Sequence, residues 1–299
     1  MNFKYFSLII TLFALMFSYS TLYSQQSNII EENTLSTEKG KTLTISTFAG
    51  TIDITTWDKN EVSVKVTGNN TADEMMIFDM SSTSTGVKID GQKKSDFKKK
   101  SYNVNINYDI KVPADYNIDA FTGGGEISVS NLTGSVKVNT SGGNITTNNI
   151  TGNISGSTAG GNVTITKNTG TLDISTQGGN IKAEGFNGKV TVSTMGGNLV
   201  LTGTGGTVNG HTGGGNITLD FSGKNEGIEL STMAGNIKLN LPSDIDADAD
   251  ISTLVGKIDT DFASADNGKL SSFLKTTINA GGNKLKCTTS AGNISVNKK

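Results

Sequence analysis

The residues in this sequence that could do chemistry are few and scattered. There is one histidine, His211, and one cysteine, Cys287. A Ser–His–Asp relay needs a histidine held by a carboxylate and touching a nucleophile, yet the first acid after His211 is Asp220. Zinc sites use several His or Cys ligands, so one of each does not make such a site. We predict no catalytic residues and no cofactor, a corner or surface position for His211, and a buried, inert thiol for Cys287.

Carboxylates are the next candidates, because paired acids hydrolyse glycosides and clustered acids bind calcium. The isolated acids, which form no recurring pair, are Asp53, Asp173, Asp220 and Glu229. The densest acidic stretch, "PSDIDADADIS", places Asp246, Asp248 and Asp250 on one face of an apparent strand. It lacks the glycine and the final glutamate of an EF-hand loop. We interpret the stretch as a solvated strand face, with weak divalent-ion binding as the alternative.

A column of threonines is the third candidate. Its members, most of them 18 residues apart, are Thr140, Thr158, Thr176, Thr194, Thr212 and Thr232. If they faced solvent, they would form an exposed ladder able to contact sugars. The alternative is that threonine, a good strand former, stacks on itself through hydroxyl contacts.

These positions belong to a repeat whose clearest mark is the phrase Gly-Gly-Asn followed by an aliphatic residue. Asparagine recurs every 18 residues from Asn144 to Asn216, and the related phrase "MAGNI" follows at Asn236. We predict that these residues turn corners, because glycine bends the chain without a Cβ clash and asparagine amides stack between repeats. A ligand-binding role for the asparagines is the alternative. The predicted corner residues are Gly143, Asn144, Gly161, Asn162, Gly179, Asn180, Gly197, Asn198, Gly215, Asn216, Gly235 and Asn236.

Between the corners, aliphatic residues alternate with Thr, Ser, Lys and Asp. Examples are Leu172 and Ile174 in one segment and Val190 and Val192 in the next. This period of two predicts strands with one buried face. A unit of two strands cannot bury its own apolar face, but stacked units can share a core. We therefore predict an all-β fold, a single-stranded β-solenoid with coils of about 18 residues and two short strands per coil.

The domain organisation follows from where this pattern begins and ends. Residues 40–299 are predicted to form one solenoid domain, with regular coils at about 122–240. Residues 25–39 are predicted to be a flexible N-terminal segment. Residues 69–100 are irregular and end in the basic run "KKSDFKKKS", which predicts an exposed loop.

The N-terminus and the charge balance bear on location and partners. Residues 1–24 have Lys4, an apolar run over 6–17 and then small polar residues, which predicts a signal peptide and export. An uncleaved anchor is the alternative, and no later segment is long and apolar enough to span a bilayer. Without residues 1–24, 24 basic residues remain against 27 acidic ones, giving −3. That balance does not favour nucleic-acid binding.

The sequence resembles the bacterial "putative adhesin" family. The likeness is carried by "IKVPADYNIDAFTGGGEISV", the repeated "T-x-GGNI", "LPSDIDADADISTLVGKI" and the terminal "TTSAGNISV". It extends from about residue 40 to the end of the chain. The resemblance implies a β-solenoid of secreted or envelope proteins, and the family name implies adhesion without naming catalytic residues.

Three functions follow as expectations. The first is an exported, non-catalytic interaction protein, located in the periplasm, on the cell surface or outside the cell, whose rigid polar faces contact a cell-surface protein or a glycan. The second is an envelope-structural or stress-associated protein without an adhesive target. The third is an enzyme acting on polysaccharide.

Overall fold

The computed structural model describes residues 28–262 and 272–299, so the predicted signal peptide, residues 1–24, lies outside the described residues. Within the described ranges the chain forms 26 strands and one short helix, α1 (Asn70–Met75). The strands are β1 Asn28–Ser36, β2 Thr42–Thr47, β3 Thr51–Trp57, β4 Glu61–Gly68, β5 Met76–Thr83, β6 Gly86–Lys93, β7 Ile106–Pro113, β8 Asn117–Thr122, β9 Ile127–Thr133, β10 Val136–Thr140, β11 Ile145–Thr151, β12 Ile154–Thr158, β13 Val163–Thr169, β14 Leu172–Thr176, β15 Ile181–Asn187, β16 Val190–Thr194, β17 Leu199–Gly203, β18 Gly206–Thr212, β19 Ile217–Phe221, β20 Asn225–Ala234, β21 Ile237–Leu241, β22 Ala247–Val255, β23 Ile258–Thr260, β24 Phe273–Ile278, β25 Lys284–Ala291 and β26 Ile294–Lys298.

These strands form two long sheets of 13 strands each in the part of the chain that the structure describes. Sheet A has the order β1-β4-β7-β3-β9-β11-β13-β15-β17-β19-β21-β26-β23, and sheet B has the order β24-β22-β25-β20-β18-β16-β14-β12-β10-β8-β2-β6-β5. In the middle of the chain, successive strands alternate between the sheets and neighbours are parallel: Leu172 lies opposite Ile154 on one side and Val190 on the other. The prediction of an all-β, solenoid-like stack is confirmed.

The core lies between the two sheets and is mostly aliphatic. In β14, Leu172 and Ile174 are buried while Asp173 and Ser175 are exposed, as the alternation predicts. Because most strands repeat this pattern in register with their neighbours, the buried side chains form one continuous cluster along the stack. The outward positions are left free to vary.

Residues 69–93 do not form the predicted loop, whereas residues 94–100, which hold most of the basic run, lie outside any helix or strand and are mostly exposed. Residues 69–93 contain α1, which begins at the N-cap Asn69, and the antiparallel hairpin of β5 and β6, which closes one end of sheet B. Met75 and Ile89 are buried in the core there. The prediction failed for residues 69–93 because their helix and hairpin do not follow the repeat of the other coils. The basic run packs against the hairpin at one point, where Lys93 Nζ lies 4.9 Å from the centre of the Tyr102 ring and 5.5 Å from that of Phe97.

The N-terminal segment also differs from its prediction. Residues 28–36 of the segment predicted to be flexible form β1, which pairs antiparallel with β4 at the edge of sheet A. Its side chains are largely exposed on both faces, which is why no alternating pattern marked it as a strand.

At both ends the order of the strands departs from the order of the sequence. Near the start, β2 lies between β8 and β6, so the first coil stacks directly on a segment that follows about 75 residues later. Near the end, β25 lies between β20 and β22, and β26 lies between β21 and β23. The last coil of the chain is therefore an interior coil of the stack.

Candidate functional site

The predicted corner residues hold the coils together through their backbone. A Cβ added to Gly197 would lie 1.9 Å from the carbonyl oxygen of Gly179 in the coil before it. The backbone N–H of Asn198 donates to Oδ1 of Asn180 over 2.8 Å. Glycine is required here because the backbones of two coils meet, not because of an unusual φ. The same arrangement recurs along the stack at Gly143, Asn144, Gly161, Asn162, Asn180, Gly215, Asn216, Gly235 and Asn236.

The asparagine ladder has little capacity left for a ligand. It starts at Glu126, whose Oε1 accepts from Nδ2 of Asn144 over 2.8 Å. Each following Oδ1 accepts the backbone N–H of the next coil, and the ladder ends where the N–H of Lys257 donates to Asn293 over 2.9 Å. Because these side-chain oxygens already accept hydrogen bonds from backbone N–H groups, the geometry favours the structural interpretation of the ladder over the ligand-binding one.

The threonine column is buried, so the interpretation of an exposed ladder is wrong. Thr194 is 2% exposed; its Oγ1 donates to the carbonyl of Gly179 over 2.9 Å and accepts from the N–H of Gly197 over 3.2 Å. The reason is parity: Val192, two residues earlier, points into the core, so Thr194 does as well. The threonines that pin a corner in this way are Thr140, Thr158, Thr176, Thr194, Thr212 and Thr232.

The residues one place before these threonines face outward and form the floor of a groove. The floor residues are Asn139, Ser157, Ser175, Ser193 and His211, on five neighbouring strands of sheet B. Phe121 lies at one end and Met195 on the rim, and these side chains are 43% and 64% exposed. The groove has a volume of about 700 Å³ and runs across the strands.

The groove combines an apolar surface with a row of polar side chains on its floor. Its described lining residues include no Asp, Glu, Lys or Arg. Ser157 donates to Oδ1 of Asn139 over 2.7 Å, and Nδ1 of His211 lies 2.9 Å from Oγ of Ser231. Among the described residues, the hydroxyls of Ser175 and Ser193 have no hydrogen-bond partner. The floor therefore offers hydrogen-bond donors and acceptors without a carboxylate, lysine or arginine side chain.

Sequence reasoning missed this groove, although its signal was present. The position before each threonine reads Phe121, Asn139, Ser157, Ser175, Ser193 and His211. Because the residue type is not the same in every repeat, the column does not show as a repeated motif in the sequence. Since the threonines point inward, the column beside them had to point outward.

The chemically reactive candidates lie apart from one another. His211 is exposed and contacts Ser231, whereas Cys287 is fully buried in sheet B, and burial raises the pKa of its thiol. Within residues 28–262 and 272–299, no group of three or more His, Cys, Asp or Glu side chains could hold a metal ion.

Two of the three acids considered for calcium have structural partners. Oδ1 of Asp246 accepts from the N–H of Ala280 over 3.0 Å. Asp248 accepts from Oγ1 of Thr277 over 3.2 Å and from the N–H of Gly282 over 3.4 Å. Both carboxylates thus hold the turn between β24 and β25. Asp250 points outward from β22 without such a contact.

Comparison with known proteins assigns the fold to a family. A model of the family described as "Toastrack DUF4097" matches residues 37–297. The chain belongs to the toastrack DUF4097 family. The match begins just before β2 and ends within β26, so it covers the described strands except β1, and it confirms the resemblance that the repeated motifs indicated. No curated protein matches the sequence.

Solved structures similar to this toastrack chain come from three bacteria. A "putative adhesin" from Bacteroides fragilis is 13% identical, with 91% of this chain and 98% of that chain covered and a TM-score of 0.44. A "putative cell adhesion protein" from Clostridium sporogenes is 11% identical, covering 92% and 100%, with a TM-score of 0.27. A "putative lipid binding protein" from Parabacteroides distasonis is 15% identical, covering 90% and 96%, with a TM-score of 0.34.

A membrane-spanning helix is absent from the described part of this toastrack chain: none of its helical segments has the necessary length and apolarity.

Proposed function

We propose that this toastrack-family chain is an exported, non-catalytic interaction protein whose groove binds an extended, uncharged glycan at a cell surface. The observation that carries the proposal is the composition of the groove: hydroxyl, amide and imidazole groups on the floor, an aromatic ring at one end and no Asp, Glu, Lys or Arg among the described lining residues. Export rests on the signal peptide predicted at residues 1–24.

The chemistry of the floor suits sugar hydroxyls. A sugar hydroxyl both donates and accepts a hydrogen bond, and Ser175 and Ser193 present the same two capacities. A charged ligand would find no opposite charge in the groove to offset the loss of its hydration. Phe121, exposed at one end, provides a flat apolar surface for the face of a sugar ring.

The repeat gives the groove its length. We propose that the repeating unit is a coil of about 18 residues with two strands. Coils are about 4.8 Å apart, so the four steps from Asn139 to His211 span about 19 Å. A rigid floor of this length fits several consecutive sugar units. Binding at each step would be weak, and several steps together would add to a useful affinity.

The direct test measures binding of the full mature chain to polysaccharides by calorimetry, with neutral glucans and galactans compared with acidic alginate and hyaluronan. Neutral chains are expected to bind, with an affinity that changes little with salt because no ion pairs form. Binding to acidic chains alone, with strong salt dependence, would refute the uncharged-ligand assignment. Failure to bind any glycan would favour the envelope-structural interpretation.

Phe121→Ala locates the site. Loss of an aromatic contact of about 1.4 kcal/mol would weaken binding about tenfold. The matched control is Phe48→Ala, because Phe48, which directly follows β2, is also an exposed phenylalanine, at 46%, but does not line the groove. Equal effects of the two substitutions would show that the glycan binds elsewhere.

Location needs its own experiment. Protease and antibody accessibility of the native protein is compared on intact and permeabilised cells. Accessibility on intact cells is expected. Protection until permeabilisation would contradict the adhesive role and direct the search to partners inside the envelope.

A further inference from the structure

The C-terminal coil occupies a place that the rest of the chain has already built. β25 pairs in parallel with β20 on one side and β22 on the other, and β26 does the same with β21 and β23. All four neighbours precede it in the sequence. Without residues 284–298, the stack would contain a slot one coil wide, with backbone groups open on both walls.

The contacts across this slot are those of any internal coil. The N–H of Gly235 donates to the carbonyl of Ala291 over 2.9 Å, and the N–H of Gly292 donates to Val255 over 2.9 Å. The asparagine ladder crosses the slot in the same way, from Asn236 through Asn293. The walls therefore recognise a coil of this sequence by its backbone and its buried aliphatic residues, wherever that coil originates.

The connection into the coil is a short turn that other residues hold closed. Between β24 and β25 the backbone takes positive φ at Asn279 (48°), Gly281 (72°) and Gly282 (123°). The carboxylates of Asp246 and Asp248 accept hydrogen bonds from the backbone of this turn. Short, constrained hinges of this kind favour exchange of an element between copies, because opening the turn relieves the constraint.

We propose that the slot also accepts residues 284–298 of a second copy, so that the protein forms assemblies by exchange of its C-terminal coil. The partner is another molecule of this chain, and the contacts in the exchanged form are those already described within one molecule. Asp246 and Asp248 act as a latch that keeps the coil in its own chain. This proposal does not depend on the ligand of the groove.

Cysteine trapping tests the exchange in the full-length mature chain. Ser231 and Thr288 lie opposite each other on the parallel strands β20 and β25. Neighbouring strands are about 4.8 Å apart, which is within the Cα–Cα range that a disulfide spans. One copy carries Ser231→Cys and the other Thr288→Cys, both with Cys287→Ala, and the two are refolded together and oxidised. Exchange is expected to give a disulfide between the two copies, and its yield is expected to rise about tenfold for a tenfold rise in concentration while it is a minor species.

Random collision also links exposed thiols, so a matched pair measures that background. Ser175→Cys replaces Ser231→Cys, because Ser175 lies in the same outward row but pairs with Ser157 and Ser193 instead of Thr288. The 231–288 link is expected to exceed the 175–288 link severalfold. Equal yields would overturn the proposal. A single chain with both Ser231→Cys and Thr288→Cys verifies that the coil folds correctly and should close on itself.

The latch gives a second, independent readout. Asp246→Ala removes one hydrogen bond to the turn and is expected to raise the yield of linked copies further. Asp250→Ala is the control, because Asp250 also lies in the acidic stretch but makes no hydrogen bond to the turn among the described residues. The same yield in both variants would refute the latch.

Discussion

The replacement of Gly197 by alanine tests the proposed corner most directly. The added Cβ would lie 1.9 Å from the carbonyl oxygen of Gly179, and real contacts are at least 3.0 Å, so the two coils must separate by roughly 1 Å. That shift would stretch the bond from the N–H of Asn198 to Asn180, now 2.8 Å, and the bond from Thr194 to Gly179, now 2.9 Å, beyond hydrogen-bonding distance. The Thr194 bond is buried and its loss leaves a buried group unsatisfied, whereas the Asn198 bond is exposed to solvent, and together the two losses cost about 3 kcal/mol.

The assay is thermal unfolding followed by circular dichroism, with hydrogen exchange of the corner amides. We expect the midpoint to fall by roughly 6–10 °C and exchange at Asn198 to accelerate. The control is Gly196→Ala, one residue away, where the nearest atom to an added Cβ is 3.9 Å distant. That variant should stay within about 2 °C of the parent. If Gly197→Ala is as stable as Gly196→Ala, the close approach of the coils is not real.

Three further substitutions test buried hydroxyl groups, each by its effect on stability. Thr194→Val leaves the corner carbonyl and N–H without their hydroxyl partner and should lower the free energy of unfolding by about 2 kcal/mol. Thr191→Val, on the outward face of the same strand, should change it by less than about 0.5 kcal/mol. Equal losses in the two variants would contradict the role of Thr194 in holding the corner. Thr147→Val should stabilise the protein by about 1 kcal/mol, because the buried Oγ1 of Thr147 has no hydrogen-bond partner among the described residues. A loss of stability would show that this hydroxyl has a partner. Burial raises the pKa of Tyr108 to about 12 from the ordinary 10.0. As the pH rises, the unfolded chain therefore releases this proton before the folded one, and the free energy of unfolding should fall between about pH 10 and 12. Unfolding curves measured at alkaline pH should show that this part of the decline is absent in Tyr108→Phe.

The sequence was informative wherever one repeat could be compared with the next. The fixed spacing of Gly197 and Asn198 with their counterparts indicated corners, and the alternation of Val190 and Val192 indicated strands with one buried face. Both inferences are local and use only the period of the chain. The same logic, applied strictly, also places Thr194 inside, since it continues the parity of Val192. The exposed-ladder interpretation failed because threonine was judged by its polarity rather than by its position.

Two features could not be predicted from the sequence because they depend on pairing between distant segments. Nothing in "TTSAGNISV" indicates that β25 and β26 insert between earlier strands, since an interior coil and a terminal one have the same composition. Residues 69–100 lack the repeat altogether, and the burial of Ile89 depends on β2, which lies opposite it in sheet B. Strand registers of this kind are fixed by tertiary packing and produce no periodic pattern in the sequence.

The groove shows why a repeat protein can keep its fold and change its ligand. Thr176 cannot change without leaving the backbone of a corner unsatisfied, whereas Ser175, its neighbour, points outward and holds no coil in place. Phe121, Asn139 and His211 occupy the equivalent place in other coils, so this column accepts an aromatic ring, an amide and an imidazole on the same backbone. Substitutions in the column therefore alter the chemistry of the floor at little cost in stability. If specificity resides there, exchanging Ser175 and Ser193 for asparagine should change which glycan binds while the unfolding midpoint stays within about 2 °C. A large fall in the midpoint would show that the outward column also carries the fold.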